Sequence, residues 1–385
     1  MPAAAYEVLV PPPAGGATRA RRGRLTLTHG AVETPQFMPV GTNATVKALT
    51  PDDLADAGAS IILSNTYHLA LRPGHERIAR LGGLHRFMDW DRPILTDSGG
   101  FQVVSLGHLR VIDETGVTFR SHHDGSLHHF TPEHSIAVQE ALGADVAVAF
   151  DQPVYPSSSR EVVADATART HRWAERSLAA HTRSDQALFG IVQGGLDPEL
   201  RAESTATIAA LPFDGICIGG LAGDETPIER AAALDVAIPL LADDPRPRYL
   251  MGLGSPADLL EAVHLGVDLF DSVLPSRVAR NGQLWVPGGR LNIRNARFLD
   301  DPTPVQEGCP CLLCRRFSRA YLAHLIRADE LLAYRLATCH NLTFTLDFMG
   351  RIRAALQAGT FPQDLPALRA HAGRASGSDA GEKSA

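Results

Sequence analysis

The sequence contains 385 residues, of which 44% are hydrophobic and 21% are charged, proportions that are ordinary for a globular protein. No apolar run reaches the roughly 18 residues that a membrane-spanning helix needs, and the amino terminus lacks the basic and apolar regions of a signal peptide. The formal charge of −7 argues against a chain that binds nucleic acid over its whole surface. These features argue against a secreted or membrane-spanning protein, and we predict a cytoplasmic one.

The first 37 residues divide into two predicted parts. Residues 1–22 include three consecutive prolines at 11–13, which suit a surface linker, and we expect a flexible amino-terminal segment. The stretch "GRLTLTHGAVETPQF" (23–37) alternates apolar and polar residues on either side of His29 and Gly30. Alternation around a short turn predicts a β-hairpin.

Eight short apolar runs follow, and each ends in small or polar residues. They lie at 36–43, 60–68, 93–102, 145–153, 188–195, 215–225, 248–255 and 268–276. Runs rich in aliphatic and β-branched residues suit parallel strands that are buried on both faces. Helical patterns separate most of them, such as 50–58, where Thr50 and Pro51 are typical of a helix start.

Eight β-then-α units predict an α/β protein of the (β/α)8, or TIM-barrel, class. The barrel domain would span 23–370, with the hairpin closing its bottom and a disordered tail at 371–385. Residues after about 283 depart from the βα rhythm and predict an inserted metal-binding subdomain at about 284–345. The residues that end the strands are then candidates for an active site, although Gly, Ser and Asn end strands in many proteins.

The departing segment holds a cluster of metal-ligand residues. Cys309, Cys311 and Cys314 lie within six residues, and His340 follows them; together they could supply four N/S ligands for a closed tetrahedral zinc site. Cys339 is a rival for the fourth position. Four protein ligands leave no open position, so we predict one structural Zn²⁺ that fastens this segment to the barrel.

The same region is rich in arginine. Between Arg277 and Arg327 there are nine arginines and three acidic residues, a local net charge of +6. This segment could face phosphates while the rest of the surface stays acidic. A solvated arginine face is the alternative. It gains weight because the chain has only two lysines, so that arginine is its usual basic residue wherever one occurs.

Three aspartates end predicted strands: Asp97, Asp151 and Asp271. Two carboxylates across a barrel mouth can displace a group at a sugar carbon, one as nucleophile on C1′ and the other as proton shuttle. Ser98, Gln102, Gln193 and the backbone of "GGLAG" (219–223) suit a planar heterocycle, and Asp151 suits the N1–H and amino edge of guanine. For any single aspartate, capping the next helix is the simpler alternative.

Six motifs in a fixed order carry a resemblance to a known family. They are "TDSGGFQ", "FGIVQGG", "GGLAGDE", "FDSVLPSRVARNG", "NIRNARF" and "CPCLLC" with "HN" downstream. From about residue 23 to about 357 the chain resembles the bacterial tRNA-guanine transglycosylases. The resemblance implies a zinc-containing barrel, usually a homodimer. Its reaction replaces guanine at the wobble position of tRNAs with GUN anticodons by 7-aminomethyl-7-deazaguanine, on the route to queuosine.

The resemblance also implies roles for individual residues. Asp271 matches the nucleophile that forms a covalent ribosyl intermediate, and Asp97 matches the general acid/base. The positions that bind the base are Asp97, Ser98, Gly99, Gly100, Phe101, Asp151, Gln193, Gly220 and Leu221. The positions that contact RNA are Gly252, Leu253, Gly254, Ser255, Pro256, Ala257, Asp258, Ser276, Arg277, Val278, Ala279 and Arg280. The zinc ligands are Cys309, Cys311, Cys314 and His340, which favours His340 over Cys339.

The chain departs from the usual bacterial pattern at two places near the base. After Asp151 it has "QPVYP" where "ECTPYP" is usual, and after "GGLA" it has Gly223 where valine is usual, as in the eukaryotic enzymes. A smaller residue could widen the pocket where the 7-substituent lies. The alternative incoming base is therefore intact queuine.

Three rival functions are weaker. A non-catalytic tRNA-binding partner subunit would lack the catalytic aspartates, which are present here. A metal-dependent nucleobase hydrolase would need His-x-His at the end of the first strand, and "QFMPVGTN" has none; the pairs at 122–123 and 128–129 favour a solvated hairpin. An archaeal-type relative would carry additional carboxy-terminal RNA-binding domains.

Overall fold

The computed structural model describes residues 3–105, 110–155 and 157–373. Eight parallel strands form its centre; seven fall within the predicted apolar runs, and β11 begins one residue before its run. They are β4 (Gln36–Pro39), β5 (Ile62–Ser64), β6 (Ile94–Thr96), β10 (Val146–Val148), β11 (Ala187–Val192), β12 (Gly215–Ile218), β13 (Arg248–Leu250) and β14 (Leu269–Ser272).

The eight strands close into a barrel. Each pairs in parallel with the next along the chain, and β14 returns to pair with β4, so that Phe270 lies opposite Phe37. A parallel bridge between Val40 and Leu63 joins β4 to β5, and the Gly41 N–H donates to the Leu63 carbonyl at 2.6 Å. The predicted (β/α)8 barrel is confirmed.

Helices cover the outside of the barrel, and further helices form much of the segment that follows it. Between the strands lie α1 (Pro51–Asp56), α2 (Thr66–Leu71), α3 (His75–Arg80), α4 (Gly83–Met88), α5 (Gly100–Ser105), α6 (Pro132–Leu142), α7 (Arg160–Ala180), α8 (Pro198–Ala209), α9 (Pro227–Leu240) and α10 (Pro256–Leu265). After β14 come α11 (Leu274–Arg280), the 3₁₀ helix Ala296–Phe298, α12 (Leu312–Arg316), α13 (Arg319–Arg327), α14 (Leu331–Ala358) and α15 (Phe361–Ala372). Thr50 starts α1 as predicted, because it and Asp53 form a capping box.

A three-stranded sheet closes the amino-terminal end of the barrel. Its strands are β1 (Ala5–Val10), β2 (Arg22–Leu27) and β3 (Gly30–Thr34), of which β2 and β3 are the predicted hairpin. Leu25, Leu27 and Val32 pack into the same apolar cluster as the side chains that fill the barrel interior. The hairpin therefore caps the bottom of the barrel, as the sequence predicted.

The amino-terminal segment at 1–22, for which we expect flexibility, contains a paired strand. Residues of β1 pair antiparallel with β2, with Ala5 opposite Thr26, and the Tyr6 hydroxyl lies 2.8 Å from Thr34 Oγ1. Further along, Arg21 forms a buried ion pair with Asp268 at 2.7 Å. The edge of β2 satisfies the backbone of β1, and this partner cannot be seen from the composition of residues 1–22.

Two insertions complete the fold. One is the sheet of β7 (Arg110–Ile112), β8 (Val117–Arg120) and β9 (Leu127–Phe130). Strands β8 and β9 form the predicted histidine-rich hairpin, with one histidine pair in the turn and the other on β9. The other begins with the antiparallel pair β15 (Gln283–Val286) and β16 (Gly289–Asn292). The long helix α14 contacts this second insertion and also packs on β4 and α15, so it ties the insertion to the barrel.

Helix α15 is the last element of the described chain. Helix α15 continues to Ala372, so the predicted tail at 371–385 begins inside a helix, and residues 374–385 lie outside the described residues. Within the described ranges, no helix combines the length and the apolar character that crossing a bilayer requires.

Candidate active site and metal-binding cluster

The three predicted aspartates meet in one cavity at the carboxyl ends of the strands. The cavity has a volume of about 730 Å³ and is lined by Asp97, Asp151 and Asp271 together with residues from most of the eight strand ends. Of the predicted base-binding positions, Ser98, Phe101, Gln193 and Gly220 also line it. Gly99, Gly100 and Leu221 do not. These residues lie together because the ends of parallel barrel strands converge.

Asp97 follows β6 and is held by three donors. Asn65 Nδ2 and Gln102 Nε2 donate to its Oδ2 at 2.6 and 2.9 Å, and the Thr66 N–H donates to Oδ1 at 2.8 Å. Burial raises the pKa of Asp97 to about 6, against the opposing effect of these donors. This carboxyl group can therefore gain and lose a proton near neutral pH. Asn65 was not predicted as a site residue, although it is one of the polar residues that end the second apolar run and such residues are active-site candidates in a barrel.

Asp271 is the third residue of β14, and only one of its oxygens is held. The Tyr249 hydroxyl and the Gly252 N–H both donate to Oδ1, at 2.6 and 2.8 Å. Burial raises the pKa of Asp271, and burial next to this carboxylate raises the pKa of Tyr249 well above its ordinary value, which keeps the phenol protonated. Among the described residues Oδ2 has no hydrogen-bond donor, so it is free to face a ligand. Tyr249 was not singled out from the sequence.

Asp151 follows β10, and its two oxygens have different donors. Ser98 Oγ donates to Oδ1 at 3.0 Å and Gln193 Nε2 donates to Oδ2 at 2.7 Å. Burial is the largest cause that raises its pKa to about 6, and the nearby Asp97 adds to it. A Cβ at Gly100 would lie 2.5 Å from Asp151 Oδ1, so a glycine is required there even though it does not line the cavity.

Gln193 and the two glycines after β12 form one wall of the cavity. A Cβ at Gly219 would lie 2.7 Å from Gln193 Nε2, and one at Gly220 would lie 2.7 Å from Gln193 Oε1. Gly220 also has a φ of +72°, which favours glycine. These two glycines therefore let the main chain pass close to the Gln193 side chain.

The predicted RNA-contact positions divide into buried and exposed ones. Six of the seven residues at 252–258 are buried, and only Gly252 is exposed. Ser255 and Asp258 cap α10 together, and Asp258 accepts from Arg230 at 3.1 Å. In the second group, Ser276 and Ala279 are buried, Val278 and Arg280 are partly exposed, and Arg277 is exposed and lines the cavity.

The predicted metal ligands also come together. Sγ of Cys309, Cys311 and Cys314 lie 3.8, 3.6 and 3.3 Å from His340 Nδ1. Ligands of a tetrahedral ion at 2.0–2.3 Å would be about 3.5 Å apart. His340 Nε2 donates to the Trp285 carbonyl at 2.7 Å, which leaves the Nδ1 lone pair for the ion. These four residues fit one metal ion.

Cys339 is not part of this cluster. It is buried, but its Sγ is not among the four ligand atoms that lie within 4.8 Å of one another. The geometry therefore brings His340, and not Cys339, to the three thiols.

A second group of potential ligands lies at the amino-terminal end of the barrel. His29 Nδ1 and His85 Nε2 lie 2.8 and 3.0 Å from the two oxygens of Asp145. The two imidazole rings are stacked, with centroids 3.6 Å apart and planes 17° apart. Lone pairs in two such planes cannot converge on one ion about 2 Å from each nitrogen. The group therefore joins the hairpin, α4 and β10 by hydrogen bonds.

The fold and the cavity define a class of protein. A (β/α)8 barrel with two buried carboxyl groups and one partly buried one at the carboxyl ends of its strands, and with a separate cluster of thiols and imidazole, suits acid–base or nucleophilic chemistry on a bound ligand. No metal-ligand set faces the cavity among the described residues.

Comparison with known proteins identifies the family. The family model for queuine tRNA-ribosyltransferase matches residues 17–372. Named relatives include the queuine tRNA-ribosyltransferases of Symbiobacterium thermophilum, 55% identical over 93% of this chain and 90% of the relative, and of Thermus thermophilus, 56% identical over 90% and 89%. That of Moorella thermoacetica is 54% identical over 93% and 95%. The chain belongs to the queuine tRNA-ribosyltransferase family and is a transferase enzyme.

Proposed function

We propose that this enzyme exchanges guanine at the wobble position of GUN-anticodon tRNAs for a 7-deazaguanine base, through a covalent bond between Asp271 and the ribose. The observation that carries the proposal is the free Oδ2 of Asp271 in the same cavity as the proton-exchanging Asp97. The relatives named above are tRNA-ribosyltransferases, which supports a tRNA substrate. A base in an anticodon loop can leave the stack at small cost and enter such a cavity.

The first step breaks the bond between the ribose and guanine. Asp271 Oδ2 attacks C1′, the bond from C1′ to the base nitrogen breaks, and its electron pair leaves with the base. Asp97 gives its proton to the departing base, which a pKa of about 6 permits near neutral pH. The donors on Asp271 Oδ1 hold the carboxylate in the orientation that presents Oδ2.

The second step reverses the first with a different base. The incoming 7-deazaguanine loses a proton to Asp97 and attacks C1′, and the bond to Asp271 breaks. Two displacements give overall retention at C1′. Ionised Asp151 would accept the N1–H and the amino N–H of either base, which explains why two donors, Ser98 and Gln193, hold it in place.

The metal-binding cluster has a separate role. Cys309, Cys311, Cys314 and His340 would hold one Zn²⁺, which three thiolates and one imidazole suit. All four positions are protein ligands, so the ion supplies rigidity and takes no part in base exchange. It would stabilise the arginine-rich insertion that we propose contacts the tRNA backbone.

A homodimer is part of the proposal. Three apolar side chains are exposed on the insertion and the start of α14: Tyr321 at 39%, Leu331 at 79% and Leu332 at 37%. Exposed apolar groups on successive helices are typical of an interface. The resemblance to dimeric enzymes supports the same assignment.

The identity of the incoming base depends on the cavity wall near Gly223. Gly223, Pro153, Val154 and Tyr155 line the cavity, and the Gln152 side chain is engaged away from it by Arg169 at 2.5 Å. We propose 7-aminomethyl-7-deazaguanine as the substrate. Queuine is the second candidate, because Gly223 leaves room for a larger 7-substituent. A non-catalytic partner subunit is disfavoured by the presence of both catalytic aspartates.

The proposal is tested by incubating the enzyme and a GUN tRNA with labelled 7-aminomethyl-7-deazaguanine, queuine or guanine and measuring how much of each base enters the tRNA. We expect Asp271→Asn to lower exchange by about 10³-fold or more and to abolish a denaturant-stable enzyme–tRNA adduct. Asp91→Asn, at a carboxylate that is 97% exposed, is the matched control and should exchange normally. Exchange by Asp271→Asn at the wild-type rate would exclude the covalent mechanism. Incorporation of the aminomethyl base and not queuine would exclude the second candidate.

A further inference from the structure

Arg201 on α8 is a completely buried arginine behind the Gln193–Gly220 wall of the cavity. Its side chain is 0% exposed. Nη2 and Nε donate to the Gly195 carbonyl at 2.5 and 3.2 Å, and Nη1 donates to the carbonyls of Gly219 and Val192 at 3.0 and 3.4 Å. All three acceptors are backbone carbonyls, at the end of β11 or in the loops that follow β11 and β12.

In the described part of the chain, no carboxylate forms an ion pair with the Arg201 guanidinium. The buried or partly buried ion pairs there are made by other arginines. Burial lowers the pKa of Arg201 to about 10, which still leaves the guanidinium charged at neutral pH. Buried charges in proteins are usually paired, because desolvation without a counter-charge is costly. A positive charge is therefore maintained directly behind the cavity wall.

The contact with Gly219 also fixes the direction of a peptide. In a trans peptide the C=O and the following N–H point in opposite directions. The Gly219 carbonyl points back to Arg201, so the Gly220 N–H points toward the cavity that both glycines line. Among the described residues this N–H has no hydrogen-bond partner. A Cβ at Gly220 would lie 3.8 Å from Arg201 Nη2, so the guanidinium and the free N–H flank the same residue.

We infer that Arg201 is a positioning residue for base recognition. It holds the Gly219–Gly220 peptide so that the Gly220 N–H donates to the carbonyl oxygen of a purine or deazapurine base. Its uncompensated charge favours negative charge on that oxygen while the base is detached. The inference rests on the proposed function, in which Gly220 is one of the base-binding positions. It assigns to Arg201 the orientation of the Gly220 N–H, a donor that the carboxylate of Asp151 cannot provide.

The test compares two bases that differ at this carbonyl and at the adjacent N1–H. Guanine has both, whereas 2-aminopurine keeps the 2-amino group and lacks both. The lost N1–H contact with Asp151 is the same in every variant, so the change in the ratio of the two dissociation constants between variants reports on the carbonyl. The dissociation constant of 2-aminopurine is measured by its fluorescence and that of guanine by competition, and KM and kcat for guanine exchange are measured in parallel. In Arg201→Met we expect guanine binding to weaken at least tenfold and 2-aminopurine binding to change less than threefold.

The control is Arg246→Met. Arg246 also donates to backbone carbonyls, those of Ala209, Leu211 and Phe213, but at the amino-terminal end of the barrel. It should leave the ratio of the two constants unchanged. If Arg201→Met does not fold, Arg201→Lys keeps the charge with fewer donors and should shift the ratio at least threefold.

The outcomes separate this inference from the proposed function. An unchanged ratio in a folded Arg201 variant would overturn the inference, whatever the exchange activity. Failure of the wild type to bind either base would overturn it as well. A shifted ratio in an enzyme that binds guanine but exchanges no base into tRNA would support the role of Arg201 and contradict the proposed function.

Discussion

At Asp271 one carboxylate oxygen is held and the other is left free, and this difference comes from the neighbours of the residue. Tyr249 and Gly252 donate to the same oxygen, whereas all three donors on Asp97 and both on Asp151 are spread over two oxygens. A nucleophile needs an unoccupied lone pair, and a proton shuttle needs a pKa near the working pH. The contacts thus suit Asp271 and Asp97 to different tasks.

A change at Asp97 should alter stability in a pH-dependent way. Its pKa is raised from 3.8 to about 6 in the folded state. The folded protein therefore binds the proton more tightly than the unfolded chain, and the associated stability is present below pH 4 and lost as the pH rises to about 6. Because Asp97→Asn cannot ionise, its melting temperature relative to wild type should rise between pH 4.5 and pH 7.5.

The full contribution to the free energy of unfolding is of the order of 3 kcal/mol, since one pKa unit corresponds to about 1.4 kcal/mol. About 2 kcal/mol of it falls between pH 4.5 and pH 7.5, because the unfolded chain is already largely ionised at pH 4.5. Calorimetry at the two pH values measures the change. Asp91→Asn should show a pH-independent difference from wild type. A constant difference for Asp97→Asn as well would mean that Asp97 ionises normally in the folded protein.

Among the elements, α14 has the widest structural influence. It carries His340 of the metal cluster and, next to it, Asn341, which accepts from the Trp285 N–H at 3.0 Å and donates to the carbonyls of Pro275 and Gln283 at 3.0 and 3.1 Å. Pro275 belongs to α11, which also carries Arg277. The metal cluster and the cavity rim are therefore connected through one helix and a few hydrogen bonds.

Loss of the metal should loosen this connection while leaving the base pocket in place. We expect Cys314→Ser, or prolonged chelation, to increase amide exchange over 284–316 and to weaken tRNA binding about tenfold or more, with little change in guanine binding. Bound metal is measured by mass spectrometry. Cys339→Ala, beside the cluster but outside it, should retain the metal. Equal tRNA affinity with and without the metal would contradict this role for the insertion.

At the scale of the whole molecule, the exposed apolar residues of the insertion predict self-association. We expect the wild type to be a dimer at micromolar concentration and Leu331→Asp to be a monomer, because a desolvated carboxylate opposes the interface. Light scattering after size exclusion measures the mass. Ile228→Asp is the control, since Ile228 is 82% exposed on α9, outside the insertion. A monomeric wild type would contradict the prediction.

Much of the architecture was predictable because it depends on local pattern. Each buried parallel strand is a nearly continuous apolar run, and the chain order of eight such runs is also their order around the barrel. The cluster that could hold a metal ion was predictable because three of its four residues lie within six positions of one another. Strand β1 was missed because its stability comes from a partner edge.

The amino-acid sequence by itself determined the barrel, the metal-ligand set and the meeting of Asp97, Asp151 and Asp271, since strand ends converge in any such barrel. Only the tertiary structure decided how each carboxyl group is partnered. Asn65 reaches Asp97 across 32 residues of chain and Tyr249 reaches Asp271 across 22. Burial at 253–258 and the uncompensated charge of Arg201 were likewise invisible in the sequence. Desolvation and hydrogen bonding depend on which groups surround a side chain in space, and these set the pKa values and the free oxygen on which the proposed chemistry depends.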